Sequence, residues 1–181
     1  MPEIVYHVAT SLDGFITDKN EKVDWLNDFM DLKEADSSGE KKEFEDFFSS
    51  FDAIIIGGLT YDVALKAGYW MSPNTPTWVM TRRDLNVLHP SITITKKSPK
   101  DVCKQLDQQG MKRIWLMGGG KLAASFLDAG LLDEVDLSIV PVILGEGVPV
   151  IGKTEHEPML SLKSHGTFTN GVVSVKYAPK R

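Results

Sequence analysis

The sequence predicts an α/β fold built on a mixed, mainly parallel β-sheet. Apolar runs of strand length alternate with helical patterns along most of the 181 residues, which is typical of strands joined by crossover helices. The last two strands are instead joined by Asn170-Gly171, a strong turn signal for an antiparallel hairpin. Because no linker, internal repeat or low-complexity stretch interrupts the chain, residues 1–181 are expected to form a single domain.

The individual elements follow from local patterns. Apolar runs predict strands at residues 4–9, 53–56, 77–81, 92–95, 114–117 and 135–144, with hairpin strands at 160–168 and 172–177. Helical spacing of apolar residues predicts helices at 23–29, 43–51, 60–66, 98–109 and 121–129. Ser98 and Pro99 are typical of a helix start, and Gly130 of a helix end. The polar stretch 31–40 predicts a flexible loop.

The composition excludes several functional classes. The hydrophobic content is 42% and the charged content 25%, as in an ordinary globular protein. A net charge of -5 argues against general nucleic-acid binding. The lone Cys103 excludes an internal disulfide and a cysteine metal cluster, which suits a reducing cytoplasm, and we predict no metal site. Neither a signal peptide nor a membrane span is expected, since the start lacks a basic leader and no apolar run reaches ~20 residues.

Three consecutive glycines, Gly118-Gly119-Gly120, separate an apolar strand pattern from a helical one. Glycine lets the backbone approach a ligand closely, and the N–H groups at the start of a helix favour an anion such as phosphate. The stretch therefore indicates a site for a phosphate-bearing cofactor. The alternative is a tight turn between a buried strand and a helix.

Two familiar phosphate motifs do not fit this stretch. The dinucleotide fingerprint requires an acid at the end of the next strand, but Asp133, Glu134 and Asp136 stand at its beginning. A P-loop requires serine or threonine after its lysine, whereas Leu122 follows Lys121. We therefore do not predict an ordinary Rossmann domain or a P-loop.

Two further strand ends carry similar signals. Gly57-Gly58 and Thr60 follow the second strand, and Arg82-Arg83 follow the third. Thr60 either caps a helix or holds a phosphate together with backbone N–H groups. Because ligands bind at the carboxyl ends of strands in such sheets, we expect these ends to converge. Arginine binds phosphate through a bidentate fork, so the set suits a dinucleotide that carries an extra phosphate.

Four motifs occur in a fixed order along nearly the whole chain. Residues 9–16 read ATSLDGFI, 57–61 read GGLTY, 80–82 read MTR, and the stretch from MGGG at 117–120 to LGEGVP at 144–149 is the most specific. Their order and spacing resemble the dihydrofolate reductase superfamily. They are most similar to the branch formed by the reductase domain at the C-terminus of bifunctional riboflavin-biosynthesis enzymes (RibD C-terminal-like).

The resemblance implies a dihydrofolate reductase-like three-layer α/β/α fold, NADPH as the cofactor and a homodimer. It places Ala9 and Ile16 at the nicotinamide, and it implies a cis bond between Gly118 and Gly119. The remaining cofactor residues would contact the pyrophosphate and the 2′-phosphate: Gly57, Gly58, Leu59, Thr60, Thr81, Arg82, Arg83, Met117, Gly118, Gly119, Gly120, Lys121 and Leu122.

The function implied is hydride transfer from NADPH to a C=N or C=O bond of a pterin- or aminopyrimidine-like heterocycle, as in 5-amino-6-(5-phosphoribosylamino)uracil reductases. Candidate proton donors are Asp13, His7 and an acid of the segment 43–46 such as Glu43, while His7, Trp25 and Phe47 would contact the substrate. Each has a structural alternative, for example a turn residue at Asp13 and core packing for the others. The riboflavin branch usually has lysine at the position of His7 and glutamate at that of Met117.

Two rival functions remain open at this point. A non-catalytic, nucleotide- or ligand-binding homodimer would bind the cofactor without oxidation by any pterin or pyrimidine. A purely structural domain would bind no nucleotide at all. The intact glycine junctions count against the second rival.

Overall fold

An eight-stranded mixed sheet forms the centre of the computed structural model, which describes residues 1–30, 40–66, 74–87 and 89–180. The side chains of residues 30 and 40–44 are not part of the description. The loop predicted at residues 31–40 lies outside the described residues except for its last position, which begins a helix.

The strands and helices alternate as predicted. The strands are β1 (Glu3–Ser11), β2 (Ala53–Gly57), β3 (Thr77–Met80), β4 (Ile92–Thr95), β5 (Arg113–Gly118), β6 (Glu134–Val140), β7 (Leu160–Thr167) and β8 (Val173–Pro179). The helices are α1 (Asn27–Met30), α2 (Glu40–Ser49), α3 (Gly58–Lys66), α4 (Pro99–Gln108) and α5 (Gly120–Asp128), with a 3₁₀ turn at Asp24–Leu26.

The strand order is β4-β3-β2-β5-β1-β6-β8-β7. Neighbours from β4 to β6 pair in parallel, while β8 pairs antiparallel with both β6 and β7. All six parallel strands therefore end at one edge of the sheet. The predicted mixed, mainly parallel sheet with a C-terminal hairpin is confirmed.

Successive side chains of the central strands point to opposite faces of the sheet, and each face carries one hydrophobic core. Ile4, Tyr6 and Ile55 pack on one face with buried residues of α4 and α5. Val5 and Ile56 point to the other face, where α2 and α3 cover them. Since successive side chains of a strand point to opposite faces, one short apolar run supplies both cores. The result is the predicted three-layer α/β/α arrangement.

Local signals at the element ends are confirmed in most places. The Ser98 hydroxyl accepts a hydrogen bond from the Asp101 N–H at the start of α4. Gly130 follows α5 with a φ of 65°, and Gly171 forms the hairpin turn with a φ of 85°. Both values lie in the left-handed region that glycine adopts without strain.

Several predicted element boundaries are shifted in the structure, and two of these shifts lie near the strand ends that carry the predicted site. The strand predicted at 135–144 ends at Val140, because Pro141 has no N–H with which to continue the ladder. Helix α3 begins at Gly58, so Thr60 lies within its first turn and is not the N-cap. No helix in the described ranges has the length and apolar character required to cross a bilayer.

Candidate active site

The carboxyl ends of the parallel strands open into a cleft of about 2030 Å³. A pocket for one small molecule typically measures about 300–1,000 Å³, so this cleft has room for two. One end is lined by the glycine junctions after β2 and β5. The other is lined by the middle of β1 and β6, by β8 and by α2.

The two glycine junctions are in contact with each other. A Cβ atom on Gly57 would lie 3.4 Å from the Gly118 carbonyl oxygen and 3.5 Å from the Gly119 nitrogen. A Cβ atom on Gly119 would lie 2.9 Å from Thr60 Oγ1. The Gly118-Gly119 peptide bond is cis, as predicted, and Gly118 has a φ of 110°. The N-termini of α3 and α5 are therefore brought side by side at one end of the cleft.

The third strand end adds positive charge beside these junctions. Thr81 and Arg82 line the cleft, and a Cβ atom on Gly58 would lie 2.7 Å from Thr81 Oγ1. Arg83 behaves differently, because its Nη2 lies 2.7 Å from Asp62 Oδ2. Arg83 is thus paired with α3 and is not part of the described cleft lining, although its Nη2 would lie 3.1 Å from a Cβ atom on Gly58. Its predicted cofactor role stays a prediction.

Residues 147–152, named here the closing segment, hold the edge of the cleft in place. Ile16 donates its N–H to the Val148 carbonyl at 2.8 Å, and Val150 donates to the Gly14 carbonyl at 2.8 Å. The N–H of residue 152 donates to the Gly120 carbonyl at 2.9 Å. These backbone hydrogen bonds place Ile16 beside the glycine junction, where its Cδ1 would lie 3.5 Å from a Cβ atom on residue 119.

Three neighbouring strands place His7, Asp136 and Lys176 in one line across the sheet, named here the polar row. His7 Nδ1 lies 3.2 Å from Asp136 Oδ2, and Lys176 Nζ lies 3.2 Å from the same oxygen. The contact between His7 Nδ1 and Asp136 lacks hydrogen-bond geometry, and it is an ion pair when the imidazole is protonated. Burial by itself raises the pKa of Asp136, but the interactions with His7 and Lys176 outweigh it and hold that pKa below its ordinary value. Asp136 is therefore an ionised, buried carboxylate.

A second line runs parallel to the polar row, two residues nearer the strand ends. It consists of Ala9 on β1, Ser138 on β6 and Ser174 on β8, and all three line the cleft. This line separates the polar row from the glycine junctions. Its small side chains leave the floor of the cleft flat between the two ends.

An aromatic wall from α2 covers the polar row. The Phe47 ring centroid lies 4.6 Å from that of His7, and Lys176 Nζ lies 5.1 Å from the Phe47 centroid. Trp115 Nε1 donates a hydrogen bond to the His7 carbonyl at 2.9 Å. Trp25, a predicted substrate residue, is not part of the described lining, although Leu26 beside it is.

Asp13 has a structural role in this fold. Its carboxylate accepts hydrogen bonds from Ser11 Oγ at 2.6 Å and from the N–H groups of Leu144 and Gly145 at 3.1 and 2.7 Å. These bonds, chiefly that from Ser11, lower the pKa of Asp13, although burial acts in the opposite direction. Asp13 lies outside the described lining, so its position gives the predicted catalytic role no support. Glu43 lies in α2, and its side chain is not described.

Most of the predicted site residues do meet in the cleft. Those that line it are His7, Phe47, Ala9, Ile16, Gly57, Gly58, Leu59, Thr60, Thr81, Arg82, Met117, Gly119, Gly120, Lys121 and Leu122. Gly118 lies behind this surface, with its φ of 110° and the cis bond shaping the junction.

Sequence reasoning missed the residues that complete each end of the cleft. Lys96 and Lys97 line it directly after β4, and Lys97 has the same position relative to β4 as Arg82 has to β3. Asp136 and Ser138 line it from β6. Their signal was the regular placement of polar residues at 134, 136 and 138 in an otherwise apolar strand, which marks one polar face.

Comparison with known proteins identifies the family. The model of the RibD C-terminal domain matches residues 2–174, so the chain belongs to that family, as predicted. The uncharacterized protein YyaP of Bacillus subtilis (strain 168) is 31% identical over 186 residues, covering 96% of this chain and 93% of YyaP.

Solved structures agree with this assignment. A protein of Shewanella sp. PV-4, named for riboflavin biosynthesis, superposes with a TM-score of 0.84 at 27% identity, with both chains fully covered. A diaminohydroxyphosphoribosylaminopyrimidine deaminase/5-amino-6-(5-phosphoribosylamino)uracil reductase of Thermotoga maritima shares the fold, with a TM-score of 0.70 at 16% identity. That match covers 99% of this chain and 57% of the longer Thermotoga chain. The fold is therefore that of riboflavin-pathway reductase domains, and the predicted dihydrofolate reductase-like class is confirmed.

Proposed function

We propose that the protein is an NADPH-dependent reductase that acts on a C=N or C=O bond of a pterin- or aminopyrimidine-like heterocycle. One observation carries the proposal: a single cleft joins two touching glycine junctions at one end to an ionised polar row at the other. Its volume accommodates a dinucleotide and a small heterocycle together.

The glycine end fits the phosphates of a dinucleotide. Cβ atoms on Gly58 and Gly119 would meet Thr81 and Thr60, so only glycine leaves the cradle open. The first N–H groups of α3 and α5 have no partner within their own helices and favour an anion. Arg82 would contact an additional phosphate, which favours NADPH over NADH. Lys96 and Lys97 also line the cleft, but their ammonium groups lie 2.7 Å from Asp84 and Gln105.

When bound, NADPH supplies the hydride. Ala9 and Ile16 lie between the glycine junctions and the polar row, which suits a nicotinamide ring that must approach a substrate. The closing segment fixes Ile16 through the backbone hydrogen bond to Val148. These residues would orient the two reacting rings and exclude water.

The polar end fits a planar heterocycle. Phe47 offers an aromatic face, and His7, Ser138 and Ser174 offer hydrogen-bonding groups on the floor below it. The riboflavin-pathway substrate itself is one member of this class. The predicted homodimer and the cytoplasmic location stay predictions.

The proposal is tested by titrating the purified protein with NADPH and, in parallel, with NADH, using tryptophan fluorescence. We expect NADPH to bind at least tenfold more tightly, which corresponds to about 1.4 kcal/mol. A panel of pterins and aminopyrimidines is then added, and NADPH oxidation is followed by absorbance.

The outcomes separate the rival functions. Oxidation by a member of the panel supports the reductase. Tight NADPH binding without oxidation by any of them supports the non-catalytic binding protein. A folded protein that binds neither nucleotide contradicts the cofactor assignment altogether.

A further inference from the structure

The polar row contains a charge, on Asp136, that lines the cleft but is almost fully buried. The side chain of Asp136 is 3% exposed, whereas those of His7 and Lys176 are 16% and 32% exposed. Asp136 Oδ2 is shared by both cations, each at 3.2 Å. A molecule in the cleft can therefore reach His7 and Lys176, while Asp136 acts on it indirectly.

We propose that His7 is the proton donor of the cleft and that Asp136 and Lys176 are its positioning residues. This inference rests on the proposed reductase function for its catalytic step. Three contacts fix the histidine: Asp136 holds Nδ1, Phe47 packs on the ring, and Trp115 binds the backbone carbonyl.

The chemistry requires one proton for each hydride. When the carbon of a C=N bond accepts a hydride, its nitrogen must accept a proton to give CH–NH. With Nδ1 directed at Asp136, Nε2 is the nitrogen that exchanges a proton with a molecule in the cleft. The imidazolium gives up that proton, becomes neutral and regains a proton from solvent, so charge and atoms balance.

The described charged groups around His7 come from three strands and from α2. Asp136 Oδ2 lies 3.2 Å from His7 Nδ1, Lys176 Nζ lies 3.2 Å from the same oxygen, and the Arg113 guanidinium lies 5.6 Å from the ring of Phe47, which packs on His7. Glu3 on β1 pairs with Arg113 Nε at 3.0 Å and moderates its effect. On α2, Glu45 and Asp46 have exposed side chains and are screened by water. Asp136 has the largest influence, because it is the nearest charge and is buried.

The test uses the protein without cofactor or substrate. Histidine is labelled with carbon-13 at Cε1, and the four histidine signals are followed by NMR against pH. The His7 signal is identified by its loss in His7→Gln. The variants compared are Asp136→Asn, Lys176→Met and, as a control of equal charge change, Asp62→Asn on α3.

Replacing the two positioning residues should move the midpoint of the His7 titration in opposite directions. In Asp136→Asn the midpoint of the His7 titration should move to lower pH by about one unit, because an opposing charge is lost. In Lys176→Met it should move to higher pH, because a like charge is lost and Asp136 keeps a single partner. Asp62→Asn should leave it unchanged. Shifts of opposite sign show that both residues act on the charge of His7, and the turnover of His7→Gln decides whether His7 donates the proton.

An unchanged midpoint in folded Asp136→Asn overturns the proposal. If that variant does not fold, Lys176→Met decides, and an unchanged or lowered midpoint there overturns the proposal equally.

A second arm uses any heterocycle that oxidises NADPH: His7→Gln should reduce kcat by about 100-fold or more, with NADPH affinity unchanged. A kcat within a few-fold of wild type contradicts the donor role. If no nucleotide binds, the proposed function fails, and the NMR arm still decides the role of the row.

Discussion

The two ends of the cleft are built by opposite means. The glycine end (Gly57, Gly58, Gly118, Gly119 and Gly120) is shaped by missing side chains, so that backbone atoms of two junctions approach within 3.4 Å of a Cβ position. The polar end (His7, Asp136, Lys176 and Phe47) is shaped by side chains that pair across three strands and one helix. We therefore expect added side-chain atoms to disrupt the glycine end, and removed charges to disrupt the polar end.

This difference assigns different tasks to the two ends. A backbone cradle recognises what all dinucleotides share, their phosphates, and leaves little freedom for change. Side chains on paired strands can be exchanged without altering the backbone. The side chains of the polar end can therefore vary while the backbone of the cleft stays the same.

The largest effect is expected from Gly120→Ala. A Cβ atom there would collide with the Pro149 carbonyl and lie 3.2 Å from the nitrogen of residue 152, both of them backbone atoms of the closing segment. Since backbone cannot rotate away, we expect the free energy of unfolding to fall by about 3 kcal/mol. Denaturant titration measures the loss. Gly166→Ala on β7 is the control, because nothing lies within 4 Å of its added atom. Equal stability of the two variants would break the account of the glycine end.

Asp136→Asn tests the polar end in the same assay. Removing the carboxylate shared by His7 and Lys176 should lower the free energy of unfolding by about 2 kcal/mol at pH 7, a value typical of polar contacts with charged groups. The pKa of Asp136 is lowered in the folded state. Its contribution to stability is therefore complete above the pKa of the unfolded state and is lost as the pH falls through the pKa of the folded state. The difference from wild type should therefore shrink below about pH 4. A difference that stays constant down to pH 3 would show that the charge is not the cause.

Gly119→Ala should affect binding more than stability. The added Cβ atom would lie 2.9 Å from Thr60 Oγ1. The Thr60 side chain can rotate away, but its hydroxyl would then leave its position beside the glycine junction. We expect NADPH affinity to fall about tenfold, or about 1.4 kcal/mol. Unaltered affinity in Gly119→Ala would mean that the cradle does not hold the nucleotide.

The smallest effect is expected from Asp13→Asn. The exposed carboxylate holds the loop after β6 through two hydrogen bonds, so its loss should loosen that loop only locally. Hydrogen exchange should become faster at the Leu144 and Gly145 amides and stay unchanged in the central strands. NADPH affinity and turnover should match wild type. A collapse of turnover would restore Asp13 as a catalytic residue.

The same contrast explains what the sequence could predict. The glycine end was predicted almost residue by residue, because Gly57-Gly58 and the Gly118–Gly120 stretch are local signals at strand ends. Helix starts such as that at Ser98 were predicted for the same reason. The cleft wall from α2 was suggested by the spacing of its phenylalanines.

The polar row could not be predicted, because its members are brought together by strand pairing alone. Asp136 meets His7 only because β6 pairs with β1, at a register that faces residue 7 with residue 136. Lys176 joins them through a third strand. Arg82 and Arg83 are adjacent in sequence, and the structure alone shows that Arg82 lines the cleft while Arg83 pairs with Asp62 on α3.

This separation of two adjacent arginines gives the most direct test of the account. NADPH and NADH affinities should be measured for wild type, Arg82→Ala and Arg83→Ala, which lose the same charge one residue apart. We predict that Arg82→Ala weakens NADPH binding by about tenfold to 100-fold, as expected for a charge-assisted phosphate contact, and leaves NADH binding unchanged. Arg83→Ala should retain the preference for NADPH. Equal losses in both variants, or no loss in Arg82→Ala, would contradict the assignment of the glycine end as an NADPH site.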